Sequence, residues 1–123
     1  MASNADTVSA FIESWSKLDS AELAAWFTED GCYHNIPFQP VRGRQAVEAF
    51  IAEFIKTWTH TEWEIRNLVE SGNVVMCERL DKTKSTAGDV DLPCVGVFEM
   101  EGGKIKEWRD YFDHSTYMLA MSG

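Results

Sequence analysis

Val74-Val75-Met76-Cys77-Glu78-Arg79-Leu80-Asp81 and Lys104-Ile105-Lys106-Glu107-Trp108-Arg109-Asp110-Tyr111-Phe112-Asp113 decide how this chain folds. Both read as strands, and the long apolar run Val90 to Met100 between them reads as a third. Strand side chains alternate faces, so Val75, Cys77, Arg79 and Asp81 share one. That face starts apolar and ends in a cation and a carboxylate. Asp110 stands two residues after Trp108, on the same face by parity. Buried charges are costly unless paired and hydrogen-bonded. A chain that keeps three of them on the inner faces of its strands uses them. An arginine between two carboxylates, at the end of an apolar pocket, suits acid–base work.

Working outward, Ser71-Gly72-Asn73 and Glu101-Gly102-Gly103 are hairpin signals, and Thr86-Ala87-Gly88-Asp89 is a loop. Thr61 to Val69 alternates, with Trp63, Ile65 and Asn67 on one face. Pro93 hints at an edge or a bulge. The first half has the helical period instead. Val8, Phe11, Ile12, Trp15 and Leu18 form one stripe. Asp19 with Glu22 opens a short helix that turns Leu23, Trp26 and Phe27 inward and breaks at Glu29-Asp30-Gly31. Cys32 to Ile36 is a strand ended by prolines. Val47, Phe50, Ile51, Phe54, Ile55 and Trp58 make a third helix. Ser115 to Met121 is a terminal helix or tail. Helices first and hairpin-linked strands last imply α+β architecture. The helices must cover one sheet face, and a sheet curling around them makes a cone with an interior pocket.

The chain of 123 residues fits one domain, 1–123. A net charge of −9 argues against nucleic acid or an anionic membrane as partner. No run approaches a membrane span, and no basic-then-apolar leader is visible at the start. Three cysteines without CxxC spacing leave at least one thiol free, which suits a reducing compartment such as the cytoplasm. The histidines form no metal-ligating pattern, and no glycine-rich phosphate loop is present.

Parity assembles a candidate site. Tyr33 and Asn35 share a face, as do Arg79 and Asp81. Pairing Met100 with Lys104 across a three-residue loop would put Cys94 opposite Asp110 and Leu92 opposite Phe112. A slip of one residue would flip that face. The chemistry such groups suit is water addition. One carboxylate takes a proton from water while a second carboxyl donates one to a leaving oxygen. Arginine stays charged and hydrogen-bonds both, while the environment separates their pKa values. Tyr33 and Asn35 can hold the water in line. Taken singly, these residues read more plainly. Arg79 and Asp81 would be a rim ion pair, Asp110 a solvated strand end, and Tyr33 and Asn35 turn-flanking residues. His34 and Arg109 fall on the opposite faces from the site, Arg109 as an ion-pair residue.

Tyr33-His34-Asn35-Ile36-Pro37, Glu78-Arg79-Leu80-Asp81, Gly96-Val97-Phe98, Gly103-Lys104-Ile105 and Trp108-Arg109-Asp110-Tyr111-Phe112-Asp113 together resemble limonene-1,2-epoxide hydrolase over about Ala21 to Asp113. The resemblance implies the cone-shaped fold shared with nuclear transport factor 2-like and ketosteroid isomerase-like proteins, with N-terminal helices on the concave face of a curved mixed or antiparallel sheet. It also implies a homodimer. Asp110 would deprotonate water, Asp81 would protonate the epoxide oxygen, and Arg79 would bridge them. Tyr33 and Asn35 would help grip the water. Attack would take one step, with no metal or organic cofactor. Phe54, Trp58, Leu92, Cys94 and Phe112 match positions of the pocket wall. A shorter N-terminus, a shorter loop between Asp81 and Leu92 and a more aromatic third helix depart from the pattern, so a hydrophobic epoxide is implied more firmly than limonene epoxide itself. Two other classes compete. One is an isomerase-like or polyketide cyclase-like enzyme, which needs no arginine between carboxylates. The other is a non-catalytic ligand-binding module.

Overall fold

The computed structural model describes residues 2–122. Helix α1 (Asn4–Ser14) opens on a capping box between Ser3 and Asp6. A 3-10 turn (Trp15–Lys17) leads to α2 (Ser20–Ala24), whose first turn is capped by Asp19 accepting from the Glu22 N–H. Then follow β1 (Phe27–Asn35), β2 (Val41–Arg42), α3 (Arg44–Phe54), β3 (Trp58–Ser71), β4 (Val74–Ser85), β5 (Asp89–Glu101), β6 (Lys104–Phe112) and α4 (His114–Met121).

The six strands form one sheet in the order β2-β1-β6-β5-β4-β3. β1 runs parallel to β6 and every other pairing is antiparallel, so the sheet is mixed. Bulges at Phe27/Cys32, Ile65/Asn67 and Glu99/Met100 bend it. The inner face carries the core. Phe11 of α1 packs edge-on against Phe27, Phe98 and Trp108, and Trp15 stacks on Trp63 with ring centroids 4.2 Å apart. Arg44 ties α3 to β1 by donating from Nε and Nη2 to the Phe27 carbonyl.

The structure changes several expectations. The β5–β6 turn has two residues, Gly102 and Gly103, with φ of 57° and 79°. Two successive positive φ angles make the mirror-image turn that matches strand twist, and only glycine adopts them freely. This turn pairs Glu101 with Lys104. The bulge at Glu99/Met100 then adds a further offset, so Asp110 lies opposite Gly96, and Phe112 opposite Cys94. The register differs from the expected one by two residues. The turn alone would have flipped the face; the bulge restores it, and Asp110 still points inward.

Glu29-Asp30-Gly31 does not end a helix. α2 stops at Ala24, and these residues lie inside β1 where its pairing with β6 is bulged. Phe27 is therefore a strand residue. Gly31 belongs there because a Cβ would come within 3.0 Å of the Ile105 carbonyl oxygen. Trp58 leaves the third helix, which ends at Phe54, and opens β3. Asn67 is exposed, because the bulge after Ile65 shifts the alternation and turns Leu68 inward. Pro93 sits one residue beyond Cys94, where β5 loses its β6 partner, so its missing N–H meets an open edge on that side. No helix among the described residues is long and apolar enough to cross a membrane.

Candidate active site

Two strands, separated by a third, supply the charges. Arg79 and Asp81 come from β4 and Asp110 from β6, with β5 between them. Arg79 is 1% exposed, Asp110 3% and Asp81 6%. Arg79 donates from Nε to Asp81 Oδ1 and from Nη2 to Asp81 Oδ2, each at 2.9 Å. It also donates from Nη1 to Asp110 Oδ1 at 3.1 Å and from Nη2 to Asp110 Oδ2 at 2.8 Å. One guanidinium thus forks onto both carboxyls at once, a geometry that lysine cannot reproduce.

Aromatic rings fix this arrangement. The Arg79 guanidinium lies 4.5 Å from the Trp63 ring centroid, and Trp63 is backed by Trp15. Trp108 donates from its indole Nε1 to Asp110 Oδ1 at 2.6 Å. Its ring stacks on Tyr33 at 4.1 Å with an interplanar angle of 4°, which orients the phenol. Tyr33 and Asn35 reach the site because β1 is parallel to β6, pairing Tyr33 with Trp108 and Asn35 with Asp110. Neighbouring side chains in such a ladder share a face.

Burial dominates the electrostatics. It pushes the Asp81 carboxyl above its ordinary value against the pull of Arg79, with the Asp110 charge adding to the rise. Burial works against the charge on Arg79, but Asp110 and Asp81 outweigh it and hold its pKa well above the usual range. The Tyr33 phenol is raised by burial and by Asp110, so it stays neutral. The rise favours the neutral, proton-donating form of Asp81, which is the form a general acid needs.

A cavity opens above the charges. Tyr33, Asn35, Asp81 and Asp110 form its polar end, and Arg79 lies beneath the carboxyls rather than in the wall. All five expected wall residues, Phe54, Trp58, Leu92, Cys94 and Phe112, line it. The structure also places Trp63, Thr83, Val90 and Tyr117 in the wall, which were not expected there. Tyr117 comes from α4, anchored by its Asp113 cap and packed near Phe54 and Phe112. No strand or helix period connects the C-terminal segment to the pocket, so the sequence carried no signal for it. Trp108 as a hydrogen-bond donor was readable, since Trp108 and Asp110 sit two apart on one face. The cavity measures about 20 Å³, room for about one water molecule. A larger ligand must therefore displace part of the wall.

Asp81, Cys94 and Asp110 offer three ligand atoms within 4.8 Å of one another. Arg79 already occupies the space between them and donates to all three. Burial raises the Cys94 thiol far above its usual value, so it stays protonated. These residues are arranged for a guanidinium, not for a metal ion. Cys32, Cys77 and Cys94 are all free and buried. His34 faces away and contacts the Phe38 carbonyl, and Arg109 pairs with Glu99 at 2.7 Å on the outer face.

Comparison with known proteins agrees with this geometry. The family model for the limonene-1,2-epoxide hydrolase catalytic domain matches residues 2–122. Epoxide hydrolase EphG of Mycobacterium tuberculosis (strain ATCC 25618 / H37Rv) is 29% identical over 106 residues, which is 86% of this chain and 70% of that protein. The structure of an M. tuberculosis LEH-like epoxide hydrolase superposes with a TM-score of 0.82 at 26% identity, covering 96% of this chain and 88% of that one. A SnoaL-like polyketide cyclase structure from Shewanella putrefaciens CN-32 has a TM-score of 0.87 at 13% identity, covering 99% and 98%. That last likeness shows the fold alone. With the family match spanning nearly the whole chain and an arginine buried between two inward carboxyls, this protein belongs to the limonene-1,2-epoxide hydrolase family.

Proposed function

We propose that the protein adds water in one step to a hydrophobic epoxide, giving a vicinal diol. The observation that carries this reading is Arg79 bonded to both Asp81 and Asp110 at the floor of an apolar cavity. Asp110 is the base. Its Oδ1 already accepts from Arg79 and Trp108, while Oδ2 accepts only from Arg79, so Oδ2 has the lone pair free for water. Tyr33 and Asn35 hold that water in line with the ring carbon. As Asp110 takes the proton, the water oxygen bonds to carbon from the side opposite the C–O bond. That bond breaks, and its oxygen takes the Asp81 proton. A cyclic epoxide therefore yields a trans diol. Arg79 remains a cation throughout and balances the negative charge as it passes from one carboxyl to the other.

Turnover in 18O-labelled water tests the step. The label should enter the diol, and a single turnover should leave the protein unlabelled. Label in Asp110 or Asp81 would refute one-step attack, since it requires a covalent ester. Turnover of a ketone but no epoxide would replace the reading with an isomerase-type one.

Two copies are proposed to associate through the outer sheet face, where Val69, Met76, Val95 and Tyr111 stand exposed on adjacent strands. Sedimentation should show a dimer, and Met76→Glu with Val95→Glu should yield a monomer. A wild-type monomer at micromolar concentration would exclude it.

A further inference from the structure

β5 lies between the strand that carries Arg79 and the strand that carries Asp110. Sheet neighbours are about 4.8 Å apart, so Arg79 must reach across β5 to touch a residue two strands away. What β5 presents on its inner face therefore decides whether the pair can form. The inward β5 residue beside Asp110 is Gly96, which pairs with Cys77 on one side and Asp110 on the other. Its backbone φ is not positive, so no turn or left-handed geometry demands a glycine there. The demand comes from above. A Cβ at position 96 would lie 2.8 Å from Arg79 Nη1, 2.8 Å from Asp110 Oδ1 and 3.0 Å from the Phe98 ring. It would sit under the hydrogen bond that joins Nη1 to Oδ1. Neither partner can easily yield. Arg79 is also held by Asp81 and stacked on Trp63, and Asp110 is also held by Trp108.

We infer that Gly96 is a positioning residue, whose missing side chain is the gap through which Arg79 reaches Asp110. The catalytic part of this inference rests on the hydrolase reading proposed above, while the geometric part stands without it. Gly96 touches no substrate. It acts through Arg79 and Asp110 by setting their separation.

Gly96→Ala tests the inference with three readouts. With an epoxide substrate, kcat should fall about 10²-fold, the scale of losing one aligned charge-stabilising contact, while KM changes little. By NMR, the Trp108 indole N–H signal should shift, because its acceptor Asp110 Oδ1 is the atom displaced. By denaturation, Gly96→Ala should lower stability in the wild-type background and far less in an Asp110→Ala background, where the carboxylate is gone and Arg79 has room to move. The last two readouts need no substrate, so an absence of epoxide turnover would refute the proposed function and leave the positioning claim to be judged by them. An unmoved Trp108 signal in Gly96→Ala overturns the claim. So does an equal stability loss, or an equal failure to fold, in both backgrounds, because the conflict would then lie with Phe98 or the backbone. A moved signal together with wild-type kcat overturns the catalytic part of the claim, because the separation that Gly96 sets would then not matter to turnover.

Discussion

Replacing Arg79 with methionine keeps an unbranched apolar stem and removes the guanidinium, leaving both carboxyls without their partner. Arg79 makes four hydrogen bonds to Asp81 and Asp110, and all three residues are buried. Removing one partner from such a buried charge network destabilises by about 3–5 kcal/mol. That is a large share of the roughly 5–15 kcal/mol total of a domain. The loss should depend on pH. In the variant, Asp81 loses the Arg79 charge that opposed the rise caused by burial, so it holds its proton in the folded state, while the unfolded chain releases it above the ordinary carboxyl value. The native state then binds more protons than the unfolded state, so stability falls as pH rises. One such carboxyl contributes up to about 1.4 kcal/mol per pH unit. Urea unfolding of Arg79→Met at about pH 4.5 and about pH 6.5 should therefore show a marked recovery on acidification, steeper than in the wild type. Equal unfolding free energies at the two pH values would refute the reasoning, because Asp81 could then ionise at no penalty and would not be held by Arg79.

Asp110→Asn should leave the fold intact, judged by circular dichroism, and lower kcat by about 10²–10⁴, the range for a lost general base. Asp81 must be protonated to act as acid, and burial raises its pKa, so kcat should decline as pH rises through that raised value. The same shift means that Asp81 contributes to stability below the ordinary carboxyl value and loses that contribution as pH climbs through the folded one. Asp81→Asn should remove both limbs, read by kinetics and by denaturation; a kcat profile with its alkaline limb unmoved would detach it from Asp81. Tyr117→Ala should widen a cavity that holds about one water, raising kcat/KM for bulky epoxides over small ones by about tenfold. An unchanged substrate ranking would show that α4 does not limit the pocket.

Much of this protein is written locally. The order of helices and strands apart from the short β2, the inward face of Val75, Cys77, Arg79 and Asp81, and the shared face of Tyr33 and Asn35 follow from period and parity. These are properties of neighbours in the chain, so the sequence alone determines them. The proposed separation of roles between Asp81 and Asp110 rests on resemblance to a family, since two inward aspartates are equivalent to parity.

Tertiary structure decided the rest. The direction of Asp110 depended on a two-glycine turn and a bulge whose offsets combine, and a bulge leaves no reliable mark in sequence. The approach of Tyr33 and Asn35 to Asp110 depended on β1 pairing in parallel with β6, which joins Tyr33 to Trp108 and Asn35 to Asp110 across 75 residues of chain. The entry of Tyr117 into the cavity depended on where α4 docks. The reach of Arg79 to Asp110 depended on an unfilled space above Gly96. Apart from the turn and its bulge, each of these is a distance between residues well separated in the chain. Local propensity sets which face a side chain takes, but only the packed sheet sets what stands opposite it.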